Sequence, residues 1–145
     1  MLINMDGVEE PIFYAREGDY TWKIIEMLDQ TNVNGEQYIA MTLKNSKNEI
    51  YKESLYPNQH MKRIYQIALS LRIAADEGND LDTHQFIGGY IKASINYIIY
   101  DEGRNKGMKS NRMYLQNIRP SNRRKDDTKS TSFSRVKRTR GIGVK

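Results

Sequence analysis

The sequence contains no cysteine, which excludes disulfides, zinc–thiolate centres and cysteine nucleophiles together. It has only three prolines, Pro11, Pro57 and Pro120, and no apolar run longer than four residues (97–100). A run that short cannot span a bilayer. The first residues soon turn acidic and lack the basic start and apolar stretch of a secretory signal. The expected setting is therefore a soluble protein inside a cell. His60 and His84 each lack a second histidine at ligand spacing. Asp76, Glu77, Asp80 and Asp82 crowd together, but their spacing fails the EF-hand template and reads as a solvated acidic loop. Gly141-Ile142-Gly143 follows no strand, so it is no phosphate loop. No catalytic constellation, metal or cofactor is expected, and the chain reads as a non-enzyme.

The 145 residues suit one domain, and 38% hydrophobic content with ten Tyr, one Trp and three Phe suffices for one modest core. Charge is divided unevenly. Residues 1–119 hold fourteen Lys/Arg against sixteen Asp/Glu, whereas residues 120–145 hold nine Lys/Arg against two Asp. That terminal stretch has one aromatic, Phe133, and too little apolar surface to offset its ordering entropy. It reads as a disordered basic tail whose cations Arg123, Arg124, Lys125, Lys137, Arg138 and Arg140 attract polyanions. The expected organisation is a loose lead-in over 1–17, a folded domain over 18–119 and the tail over 120–145.

Within the body, residues 20–28 are aromatic and branched, as strands are. Asn34-Gly35 is a strong turn dipeptide. The next run alternates, with Ile39, Met41 and Leu43 on one face and Tyr38, Ala40, Thr42 and Lys44 on the other. Residues 50–56 return as a third strand. Pro57 ends the sheet, and Asn58 is the expected cap of a helix reaching about Ala75. Its apolar stripe is read as Met61, Ile64, Tyr65, Ala68, Leu71 and Ala75, with Lys62, Arg63 and Arg72 decorating the rest. A short turn at 83–86 and Gly88-Gly89, expected at a bulge or close packing, precede a strand over 90–100. There Ile91, Ala93, Ile95, Tyr97 and Ile99 share a face. A flexible tip over 101–109 leads to a last strand over 112–119. Three strands, a helix and two more strands is the chain order of the OB-fold, a small five-stranded Greek-key barrel. The fold class is thus mainly β, a five-stranded OB-fold barrel with one helix between strands 3 and 4. A generic α+β sheet with one packed helix shares that order.

Four short segments carry a family resemblance: Gly18-Asp19-Tyr20, Asn34-Gly35, residues 86–93 (Phe-Ile-Gly-Gly-Tyr-Ile-Lys-Ala), and Asn117-Ile118-Arg119-Pro120. Over residues 18–120 the chain resembles a family of phage proteins, known as a domain of unknown function, that is related to phage single-stranded-DNA-binding proteins. The resemblance implies an OB-fold, single-stranded DNA as partner, and a role in phage replication or recombination within the cytoplasm of the bacterial host. Bacterial proteins of this function commonly end in an acidic tail that recruits partners. This chain ends in a basic one, so recruitment through an acidic tip is not implied.

Non-specific single-strand binders pair cations with aromatic platforms, because every nucleotide offers a phosphate and a stackable base. On the OB reading the groove crosses strands 2 and 3 and is flanked by the loop joining strands 4 and 5. The expected nucleic-acid-binding residues are Tyr38, Lys44, Tyr51, Lys52, Lys92, Arg104, Lys106, Lys109, Arg112 and Tyr114. Trp22 shares parity with Tyr20 and Ile24 and reads equally as core or as platform. The alternative function is a regulatory or interaction protein on the same barrel that binds a recombinase, a replication protein or a host defence factor. A homo-oligomer, such as a dimer, is the expected assembly.

Overall fold

A computed structural model describes residues 1–73 and 80–124. Five strands form one antiparallel sheet: β1 (Gly18–Thr31), β2 (Gln37–Lys44), β3 (Ile50–Leu55), β4 (Tyr90–Asn96) and β5 (Tyr114–Pro120). Their spatial order is β3-β2-β1-β4-β5. A helix, α1 (Pro57–Ser70), and a 3-10 turn over Thr83–Phe86 lie between the third and fourth strands. The fold is mainly β, as expected, and the sheet is open between β3 and β5.

The long strand β1 organises everything else. Its first part, Gly18 to Lys23, pairs with β4, and its second, from Lys23 onward, pairs with β2. A bulge between Ile24 and Glu26 re-aims the chain between the two partners. Trp22, Ile24, Met27, Met41, Leu43, Leu55, Ile91 and Ile95 point to one side and are almost fully buried with Phe86, Ile67 and Leu115. The alternation read in β2 holds, with Ile39, Met41 and Leu43 in the core. Trp22 belongs to the core as well, its indole N–H donating to the Ala93 carbonyl at 3.0 Å.

Several element boundaries differ from the sequence reading. The helix is entered through Tyr56, with Pro57 in its first turn, and Asn58 lies inside it. Proline is favoured there because that position needs no N–H. The helix ends at Ser70, short of Ala75, which lies outside the described residues together with Asp76 and Glu77. Its buried stripe is also rotated: Ile64, Ile67 and Ala68 face the sheet, while Met61 and Tyr65 are exposed. The fourth strand ends at Asn96 rather than residue 100. There the Tyr97 N–H turns to the Glu17 carboxylate, leaving Tyr97 and Ile99 on the surface. The lead-in is tied down at its end, where Tyr14 forms a parallel bridge with Ile50 and Ala15 is buried. Gly88 has φ +89°, and a Cβ on Gly89 would meet Leu71 at 2.5 Å, so both glycines serve turn geometry and close packing.

Side chains link β3 to the helix and to the segment just before β5. Glu53 of β3 is 2% exposed, and its carboxylate receives Arg63 of α1 at 2.8 Å and Arg112, just before β5, at 3.4 Å. The Tyr51 hydroxyl lies 2.6 Å from Glu53 Oε1 and 3.0 Å from the Met113 carbonyl oxygen. A buried carboxylate is tolerable only when paired and hydrogen-bonded in this way. One acid thereby joins strand, helix and the approach to the last strand.

Candidate nucleic-acid interface

Residues directly opposite in an antiparallel sheet share a face, so the register fixes what lies beside what. Lys23 of β1 is opposite Lys44 of β2 and also opposite Tyr90 of β4. Lys44, Lys23 and Tyr90 thus form one row across three adjacent strands, about 10 Å long at the usual strand spacing. They lie on the face away from Trp22 and Ile24. Like charges directly opposed across strands repel and destabilise the sheet, so this pair has a cost that an anionic ligand would remove.

Two depressions adjoin that row and share Tyr90 and Arg123. The first, about 390 Å³, is lined by Thr21, Lys23, Lys44, Asn45 and Ser46 among others. The second, about 480 Å³, is lined by Ser70, Arg72, Gln85 and Arg124 with the apolar Leu71 and Ile73. Among the described residues, neither is lined by a carboxylate. Arg123 lies over the Tyr90 ring, 4.5 Å from guanidinium carbon to centroid, and its N–H bonds to the Ser121 hydroxyl at 3.0 Å. Ser121 is buried, so the chain just beyond β5 is held against the body. In all, Lys23, Lys44, Arg72, Arg123 and Arg124 line the two depressions that share Tyr90. Glu10 of the lead-in lines an adjoining hollow with Lys44 and Lys47.

Apart from Tyr51, the expected residues that the structure describes fall into three groups. Lys44 and the tail residues Arg123 and Arg124 lie in this cluster. Lys52, opposite Thr42, and Lys92, opposite Thr21 and Arg119, lie on the same outer face of the sheet. Tyr38 is at the far end of β2 from Lys44, stacked on Tyr56 with centroids 5.0 Å apart, in a depression lined, among the described residues, by Asp29 and no Lys or Arg. The third group stands apart. Arg104 and Lys106 are exposed between β4 and β5, Lys109 sits over the Tyr97 ring at 4.4 Å, and Arg112 sits over Tyr114 at 4.1 Å while reaching Glu53.

Tyr51 requires correction. It is 7% exposed, inside the sheet, with its hydroxyl committed to the clasp. Burial and the Glu53 carboxylate push its phenol far above the ordinary range, so it stays a neutral hydroxyl and offers no face to a base. Lys125, Lys137, Arg138 and Arg140 lie outside the described residues.

Sequence reasoning missed Lys23, Tyr90 and Arg72. The alternation of Lys23 against Trp22 was available once Trp22 was placed in the core. The pairing that puts Lys23 between Lys44 and Tyr90 joins residues 67 positions apart and leaves no local signal. Among the described residues no cluster of acids, histidines or cysteines is arranged to hold a metal ion, and no helix is long and apolar enough to cross a membrane. No protein-family model and no curated protein matches the chain.

Proposed function

We propose that this chain is a non-catalytic single-stranded-DNA-binding protein built on an OB-type barrel, acting in phage replication or recombination. The strand order, the helix between β3 and β4, and the Glu53 clasp across the β3–β5 opening support the barrel reading. The observation that carries the binding reading is the Lys23–Lys44 pair beside Tyr90 and Arg123, in depressions that no carboxylate lines among the described residues. Phosphates are neutralised along that row. A base freed from pairing can exchange places with the Arg123 guanidinium over Tyr90, whereas a duplex keeps its base faces stacked internally. Arg123 and Arg124 also connect the cluster to the basic tail, which supplies tethered cations.

The test is fluorescence anisotropy with labelled oligo(dT) and a duplex of equal length. A label is needed because Trp22 is buried and reports no stacking. Oligo(dT) should bind more tightly than duplex at physiological salt. Lys23→Glu with Lys44→Glu should weaken that binding at least tenfold and reduce the slope of log K against log salt by about 1.4, two single-strand phosphate contacts. Removal of residues 125–145 should weaken binding yet keep the preference for single strands. Equal affinity for both forms, or a double variant that binds as the parent does, overturns the reading.

A further inference from the structure

Helix α1 buries one side against the sheet and leaves a second apolar row outside. Met61, Tyr65 and Leu69 are 62%, 59% and 54% exposed. Their spacing of four residues aligns them in a ridge about 12 Å long. The ridge is basic at its margins, with Lys62 beside it and Arg72 just beyond, and no acid occurs from residue 57 to residue 72. Contiguous exposed apolar patches rimmed by polar residues mark association surfaces.

The segment that matches it lies in the same chain. Residues 1–13 contain Asp6, Glu9 and Glu10 and no Lys or Arg. Met1, Leu2, Ile3, Met5 and Val8 are all at least 60% exposed. Up to Ile12, the hydrogen bonds among described residues stay inside the arm: Val8 N–H to the Met5 carbonyl and Asp6 N–H to Asn4 Oδ1. The arm therefore presents apolar groups interleaved with acids, and the helix presents apolar groups bordered by bases. Its tether also has a direction. Tyr14 pairs in parallel with Ile50, so residues 1–12 approach from the end of β3 remote from Leu55, after which α1 begins.

We infer that the acidic arm of one copy docks on the Met61–Tyr65–Leu69 ridge of a second copy, making a reciprocal dimer. Two-fold exchange buries both arms and both ridges in one self-complementary contact. The ion pairs, Glu9 and Glu10 with Lys62 and Arg72, fix orientation, while the apolar groups supply the driving force. The inference does not depend on nucleic-acid binding.

Sedimentation velocity of the full chain over a dilution series, without DNA, tests it. A concentration-dependent dimer is expected, lost both in Leu69→Asp and on removal of residues 1–10. Mixing those two variants should restore association, because one retains the arm and the other the ridge. Circular dichroism checks that Leu69→Asp is folded. Lys62→Glu with Arg72→Glu provides a second route, weakening the dimer about tenfold for two surface pairs, with recovery when Glu9→Lys and Glu10→Lys are added. A chain that stays monomeric throughout overturns the inference, including the case of an arm seated on its own molecule. So does a dimer indifferent to Leu69→Asp, or a mixture that fails to associate.

Discussion

The guanidinium of Arg123 covers the ring of Tyr90 at 4.5 Å, and Tyr90 is 6% exposed beneath it. The contact holds the chain beyond β5 against the sheet and at the same time occupies the one aromatic face in the cationic row. Arg123→Ala should therefore leave the melting temperature nearly unchanged, since an exposed cation–π contact contributes only about 0.5–1 kcal/mol. It should weaken oligo(dT) binding several-fold and lower the salt slope by about 0.7, the value for one lost phosphate contact. Tighter binding after this change would show that Arg123 shields Tyr90 rather than serving the strand.

The Glu53 clasp is asymmetric. Arg63 approaches at 2.8 Å with a side chain 24% exposed, Arg112 at 3.4 Å with one 52% exposed. Arg63→Met should cost about 3 kcal/mol, the lower end for depriving a buried charge of its partner. Arg112→Met should cost about 1 kcal/mol or less. Urea unfolding of the two variants gives both values, and equal losses would contradict the ranking.

Acid should loosen the start of the helix. His60 Nδ1 accepts the Tyr56 backbone N–H at 3.0 Å, which only the neutral imidazole can do. Burial, with the nearby Arg63 charge, lowers the His60 pKa below its usual value. The unfolded chain therefore takes up this proton more readily than the folded one. The stabilisation is complete above the unfolded value near 6.5 and is lost as pH falls through the lower folded value. Comparing His60→Ala with the parent by denaturant unfolding, the stability gap should be widest at pH 7.5 and should shrink towards pH 5.

Gly89 and Leu71 should behave as a coupled pair. A Cβ at residue 89 meets Leu71 Cδ2 at 2.5 Å and the Phe86 carbonyl at 3.1 Å. Gly89→Ala should cost about 1–3 kcal/mol through overpacking. Adding Leu71→Ala removes the closer obstacle, so the double variant should lose less than the sum of the singles. Strict additivity would mean that the Phe86 backbone alone sets the cost.

What was legible in the sequence was local. The alternation of Ile39, Met41 and Leu43 gave β2 its inward face, and Asn34-Gly35 marked the turn before it. The helix was found, but its stripe was misread because Met61 and Tyr65 fit helical spacing as well as Ile64 and Ile67 do. Nothing within a single helix distinguishes two adjacent apolar rows when only one has a sheet to cover it. Tyr51 was misassigned for a related reason. Its partners, the buried Glu53 carboxylate and the Met113 carbonyl, come from its own strand and from 62 residues away. The site lay furthest from view. Lys23, Lys44 and Tyr90 become neighbours only after β1 has paired on both sides, and that register is a property of the assembled sheet.

The division of β1 between two partners also orders assembly. Its pairing with β2 joins neighbouring segments and closes a short loop, whereas its pairing with β4 brings Trp22 to Ile91. Closing the longer loop costs more entropy before any contact repays it. The β1–β2–β3 meander should therefore form first, and capture of β4 should be the slow step that completes the core around Trp22. In φ-value measurements, substitutions at Leu43 should slow folding, while those at Ile95 should mainly speed unfolding. In hydrogen exchange, the β1 amides hydrogen-bonded to β4 should open before those bonded to β2, although both lie on one continuous strand.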